Sequence, residues 1–155
     1  MEIQNCESVY GVSDARMDKL QIEKLDGHHY YDVLCRFDSQ LRDAQKLVLD
    51  FFPRLGVLGS SLPDIQNIII CGMGGSAIAG DFIKQIFSDT LQIPIVINRD
   101  YNLPAFINAH SLVIISSYSG NTEETVSAFH DAIIKRAKII SISTGGKTEA
   151  LAKIH

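Results

Sequence analysis

Four short runs of apolar, largely β-branched residues follow one another in the second part of the chain: Ile68 to Cys71, Pro94 to Asn98, Leu112 to Ser117 and Ile139 to Ser143. None of them alternates polar with apolar residues, so each reads as a strand covered on both faces, the condition of a parallel sheet sandwiched between helices. The intervening stretches are long enough for crossovers. Ala79, Phe82, Ile83, Ile86 and Phe87 form an apolar face at helical spacing after the first run. Val126, Phe129, Ala132 and Ile133 do the same after the third, followed by Lys135 and Arg136 at the negative helix end. The stretch from Arg99 to His110, with Asn102, Pro104 and Asn108, predicts a loop with at most a helical turn. The fold class expected is α/β, a doubly wound parallel sheet.

Residues 1–64 have a different character and are expected to form a helical segment packing on the sheet domain of 65–155. Leu34, Phe37, Leu41, Ala44, Val48 and Phe51 step by three and four through one long helix that Pro53 should terminate. A shorter helix around Ser13 to Leu25 precedes it, separated by Asp26-Gly27, and Gly56 to Pro63 reads as a loop into the first strand. At the other end, Thr148 to Ile154 begins a helical pattern that stops at His155 with no strand after it. A doubly wound sheet rarely ends on half a crossover, so the expectation is a domain truncated before its last strand and belonging to a longer polypeptide.

Composition narrows the function classes. Lys plus Arg number 14 against 18 Asp plus Glu, a net charge of -4, which argues against nucleic acid as a partner. No apolar run approaches the ~20 residues that cross a bilayer, and Met1 leads into Glu2 and Asn5 rather than a basic and apolar leader, so no membrane association and a cytoplasmic location are expected. Cys6, Cys35 and Cys71 form no C-x-x-C pair and read as buried or inert thiols. His28-His29 beside Tyr30 and Tyr31 reads as a helix start rather than a metal site. His130 lies too far into its helix to serve as a base, while His110 stays open as one.

Open parallel sheets bind ligands at the carboxyl ends of their strands. After the first run comes Gly72-Met73-Gly74-Gly75-Ser76-Ala77, whose glycines let backbone amides approach an anion at a helix start, and which also fits the dinucleotide pattern G-x-G-x-x-A. After the third comes Ser116-Ser117-Tyr118-Ser119-Gly120-Asn121-Thr122-Glu123-Glu124, a hydroxyl cluster ahead of a helix and suited to a phosphate. Asn121 and Glu124 are spaced as a capping box, which makes Glu124 structural and leaves Glu123 open. Gly145-Gly146-Lys147-Thr148 ends like a P-loop, but Ser141 stands where its first glycine belongs, so a nucleotide triphosphatase is not indicated.

The blocks Gly72 to Asp81, Asp100 to Pro104, Ser117 to Thr125 and Thr144 to Lys147, in that order, resemble the sugar isomerase (SIS) domain of the bifunctional phosphoglucose/phosphomannose isomerases. The resemblance covers residues 71–148 and implies a flavodoxin-like three-layer sandwich holding a sugar phosphate. It implies that Ser76, Ser117, Ser119 and Thr122, with Gly74, Gly75 and Gly120, bind the phosphate, and that Lys147 stabilises an enediolate. The implied reaction is aldose-ketose isomerisation between glucose or mannose 6-phosphate and fructose 6-phosphate, with no metal and no cofactor. Such enzymes carry two SIS domains, with the glutamate base and the ring-opening histidine in the second and the histidine given across a dimer. No residue here inherits either role, so the expected partners are a homodimer mate or a C-terminal SIS domain, and the chain alone is expected to be inactive. Two alternatives stand beside this: a non-catalytic phosphosugar-sensing SIS module, and an NAD-dependent dehydrogenase fragment using Gly72-x-Gly74-x-x-Ala77 with Asn98 or Asp100 offered to a ribose.

Overall fold

A computed structural model of the chain describes residues 19–59 and 64–155. The backbone forms two compact units, Met1–Leu58 and Gly59–His155.

In the first unit, α1 (Lys19–Leu25), α2 (Tyr30–Cys35) and α3 (Phe37–Gly59) follow in order. Asp26 sets the turn between α1 and α2, its Oδ2 accepting the Tyr31 N–H at 2.7 Å, and His29 enters α2 with φ 54°. The single long helix expected here is interrupted at Arg36, whose N–H turns back to the Val33 carbonyl. It also does not stop at Pro53 but runs on to Gly59, so Gly56 to Gly59 are helical rather than the start of the expected loop, whose residues 60–63 lie outside the described ones. A proline forfeits one N–H donor and one ladder bond, which weakens or kinks a helix without obliging it to end. The expected helix at Ser13 is described only from Lys19, its earlier residues lying outside the described ones. Leu34, Phe37, Leu41, Val48 and Phe51 are exposed.

The second unit is the parallel sheet. Strands β1 (Asn67–Cys71), β2 (Ile95–Asn98), β3 (Ser111–Ser116) and β4 (Lys138–Ile142) lie in the order β2-β1-β3-β4, every neighbouring pair parallel. Helices α4 (Gly74–Ile86), α5 (Glu123–Ile134) and α6 (Gly146–Ala152) alternate with them, and the link from β2 to β3 is irregular, as its composition requires. Successive side chains of a strand point to opposite faces. On one face, Ile69, Cys71, Val113 and Ile115 pack with Ala128, Phe129 and Ala132 of α5 and with Leu103 and Ile107 of the β2–β3 link. Asp131 of α5 latches that link by accepting the Leu103 N–H at 2.9 Å. On the other face α4 approaches closely, since a Cβ on Gly80 would sit 3.0 Å from side-chain carbons of both Ile70 and Ile97. The apolar face expected for α4 does not point inward. Ala77 and Gly80 are its buried residues, while Phe82, Ile83, Ile86 and Phe87 are exposed. Small residues let the helix axis come near the sheet, and that choice turns the large ones outward.

Burial pushes the Cys71 thiol up to about 12, consistent with an inert core residue, whereas Cys35 is exposed and Cys6 lies outside the described residues. No helix among the described residues is long and apolar enough to cross a membrane.

Candidate functional site

From β1 the chain runs through α4 to β2 on one side, and from β3 through α5 to β4 on the other. The strand order therefore reverses between β1 and β3, and the crevice at their carboxyl ends is where open α/β sheets bind ligands. The turns after β1, β3 and β4 stand side by side there, and the residues expected to hold a phosphate, together with Lys147, lie in them or in the first turns of the helices they lead into.

The turn after β1 leads directly into α4. Met73 occupies the N-cap with extended backbone and makes no side-chain cap hydrogen bond to the first-turn amides of α4. Ser76, in that first turn, is partly buried.

The loop after β3 is built by its own hydroxyls. Ser117 is buried, its Oγ lies 3.1 Å from Thr122 Oγ1, and it accepts the Gly120 N–H at 3.2 Å. Ser119 is exposed, and its Oγ accepts the Asn121 N–H at 3.2 Å. Gly120 turns the chain with φ 65°, a conformation that side chains resist, and a Cβ there would collide with the Gly145 carbonyl. The hydroxyl groups are thus pre-set by the loop rather than by a ligand. Thr122 stands at the N-cap of α5 but makes no side-chain cap bond.

The capping box expected from Asn121 and Glu124 is not formed. With the turn at Gly120, the Asn121 side chain faces the β4–α6 turn instead, its Oδ1 accepting the Lys147 N–H at 3.1 Å and its Nδ2 donating to the Ser119 carbonyl at 3.1 Å. Three more bonds join the same two turns. The Thr144 N–H and Oγ1 both donate to the Tyr118 carbonyl, at 3.0 and 2.6 Å, and the Thr148 N–H donates to the Gly120 carbonyl at 3.0 Å. Gly146, at φ 75°, lies so close that a Cβ would strike the Ser119 carbonyl, which explains a glycine pair that the sequence presents only as an interruption. Lys147 enters the site region through this contact, exposed on the first turn of α6.

The titratable groups nearby divide cleanly. Glu123, left open by the sequence, accepts the Tyr101 hydroxyl at 3.4 Å. The Tyr101 phenol is held above its ordinary range by the Glu124 charge first, then by partial desolvation and Glu123. Within the block Asp100 to Pro104 the sequence pattern assigns Tyr101 no role, and the signal that could find it is an aromatic hydroxyl at a strand's carboxyl end. His110 and His130 are exposed and lie away from these turns, His110 at the amino end of β3 and His130 in the second half of α5. Asp100 spends one carboxylate oxygen on the Tyr101 N–H and Asn98 donates to the Asp100 carbonyl, so both groups offered to a ribose are engaged locally. A cavity of ≈ 280 Å³ lined by Ile133, Arg136, Lys138 and His155 lies at the amino end of β4, remote from the hydroxyl loop.

Comparison with known proteins finds relatives in sequence and in fold. The chain is 53% identical over 90 residues to the bifunctional phosphoglucose/phosphomannose isomerase of Caldicellulosiruptor bescii, covering 58% of this chain and 26% of that enzyme. It is 46% identical over 82 residues to the enzyme of the same name from Thermoplasma acidophilum, covering 53% of this chain and 26% of the relative. The chain thus spans about a quarter of the length of these curated relatives. Among solved structures, the fold is similar to the Vibrio vulnificus NanR protein complexed with ManNAc-6P, with a TM-score of 0.55 at 16% identity, over 79% of this chain and 50% of that one. The dehydrogenase alternative finds no support among these relatives. The SIS domain family matches residues 61–153, more than half of the chain, and the chain belongs to that family.

Proposed function

We propose that the crevice between the β1 and β3 turns binds the phosphate of a hexose 6-phosphate, and that the chain is the phosphosugar-binding part of an aldose-ketose isomerase. One observation carries the reading: an uncapped helix N-terminus and a loop of preset hydroxyls meet at the point where the strand order reverses. Amides at a helix start and short hydroxyl donors suit a dianion, and the helix dipole favours its charge. In this reading Gly74, Gly75 and Ser76 approach the phosphate from α4, and Ser117, Ser119, Gly120 and Thr122 from the loop. Lys147 faces the sugar's carbon end and opposes the negative charge that develops on the enediolate oxygens. The names of the relatives support phosphoglucose and phosphomannose as the substrates to try first, and fructose 6-phosphate is the ketose that an aldose-ketose isomerase would form from them.

Proton transfer between adjacent carbons also needs a base within hydrogen-bond reach. Glu123 accepts the Tyr101 hydroxyl with one oxygen, and no carboxylate of this chain matches the base of the isomerases it resembles. The chain by itself therefore binds phosphosugar without isomerising it, and catalysis requires a further SIS domain or a second copy.

Calorimetry with fructose 6-phosphate tests the binding. Hydrogen bonds to a charged group contribute roughly 1.5 to 3 kcal/mol each, so Ser119→Ala or Thr122→Ala should weaken affinity by roughly tenfold to a hundredfold. Unchanged affinity in both variants removes the loop from the site. A coupled assay with glucose 6-phosphate checks the second half of the reading, where turnover by the chain alone would refute it.

A further inference from the structure

The phosphate loop and the Lys147 turn belong to different crossovers, and the bonds between them fall into two kinds. Ser117 to Ile142, Thr144 to Tyr118 and Thr148 to Gly120 tie the loop to the neighbouring chain on either side of the Gly-Gly pair. Among the described residues, only the Asn121 side chain hydrogen-bonds to the residue that carries the cation. Its amide is fixed in orientation, because the Lys147 N–H requires an oxygen, and that leaves Nδ2 to face the Ser119 carbonyl. A single side chain therefore holds the backbone of a phosphate-loop serine at one end and the backbone of Lys147 at the other.

We infer that Asn121 is a positioning residue that sets the distance between the phosphate anchor and the Lys147 ammonium, so that a hexose phosphate meets both as one preorganised body. The inference rests on the phosphosugar reading above and adds to it a residue whose spacing had pointed to helix capping alone. Preorganisation of this kind favours a ligand long enough to touch both ends and is indifferent to one that touches only the loop. Fructose 6-phosphate is such a long ligand, and inorganic phosphate is the short one.

The readout is the ratio of the two affinities, measured by calorimetry on the chain and its variants after thermal melts have shown each to be folded. Asn121→Ala should lower the preference for fructose 6-phosphate over inorganic phosphate by roughly three- to tenfold, the ordinary worth of one neutral hydrogen bond. Lys147→Ala should lower it as well, and the double variant no further than the larger single effect, because the two residues act as a unit. Asn121→Asp keeps the acceptor for the Lys147 N–H but loses the donor to the Ser119 carbonyl, so it breaks one end of the span and should lower the ratio as well. Should Asn121→Ala fail to fold, Asn121→Ser supplies the same comparison, being too short to span to Lys147.

Equal loss of both ligands in Asn121→Ala, strictly additive effects in the cycle, or an Asp variant with the full ratio of the unaltered chain would each overturn the inference while leaving the phosphosugar site standing. An unaltered chain that binds neither ligand overturns the site itself, and the inference with it.

Discussion

Helices α4 and α5 occupy opposite faces of one sheet and follow equivalent turns, yet they bury opposite kinds of residue. α5 sends Phe129 inward with Ala128 and Ala132 and seals the core beneath it. α4 lays Ala77 and Gly80 against the sheet and leaves Phe82 at 65% and Ile86 at 68% exposure. Both segments carry an apolar stripe at helical spacing, so a stripe marks a helix without deciding which side of it meets the sheet. The closeness of approach decides. A helix that touches through glycine and alanine sits lower on the strands than one that touches through phenylalanine, and the residues left over face outward.

The sharpest way to break this comparison is to empty both sites of aromatic volume. Phe129→Ala should cost about 3–5 kcal/mol in urea unfolding, the usual price of a large cavity in a closed core. If the loss is below about 1 kcal/mol, α5 does not carry the core as described. Gly80→Ala comes next. Its new Cβ would press on Ile70 and Ile97, and overpacking of this sort costs about 1–3 kcal/mol, so a gain in stability would mean that α4 is free to lift from the sheet.

Phe82→Ser is the counterpart of the first substitution and should change stability of the chain by no more than about 0.5 kcal/mol, as for an exposed position. A loss comparable to that of Phe129→Ala would erase the distinction between the helices. The smallest effect concerns their first turns. α4 has no acidic residue there, whereas α5 has Glu123 and Glu124, which hold the Tyr101 phenol above its ordinary range. The direction is upward because a phenolate beside two carboxylates is disfavoured, so Tyr101 stays protonated to higher pH than a free tyrosine. In a spectrophotometric titration, Glu124→Gln should move that ionisation back down, and an unmoved curve would remove Glu124 as the cause.

The same contrast shows how far the amino-acid pattern reaches. The strands at 67–71, 95–98, 111–116 and 138–142 lie within a residue or two of the apolar runs that announced them, because unbroken β-branched runs between turn residues have few other uses. The irregular link from β2 to β3 was equally legible in its prolines and asparagines, although nothing in it revealed that Leu103 and Ile107 would join the core. Pro53 misled in the other direction, since the price of one lost bond was read as the end of a helix that continues to Gly59. Of the site, the Gly-Gly-Ser turn and the hydroxyl loop were visible as chemistry, and their sharing of one end of the sheet followed from strand order.

Asn121 marks the boundary between the two kinds of knowledge. Its spacing to Glu124 is a local property, and local spacing favours a cap. Its partner is Lys147, 26 residues away, brought within reach only when β3 and β4 pair in register and Gly120 and Gly146 let the two turns touch. The order of elements, their parallel arrangement and the chemistry of each turn are carried by neighbours along the chain, where periodicity and backbone preference act, and the sequence determined those. Which face of α4 lies against the sheet, and which acceptor meets the Lys147 N–H, depend on groups that become neighbours only on folding, so only the tertiary structure decided them.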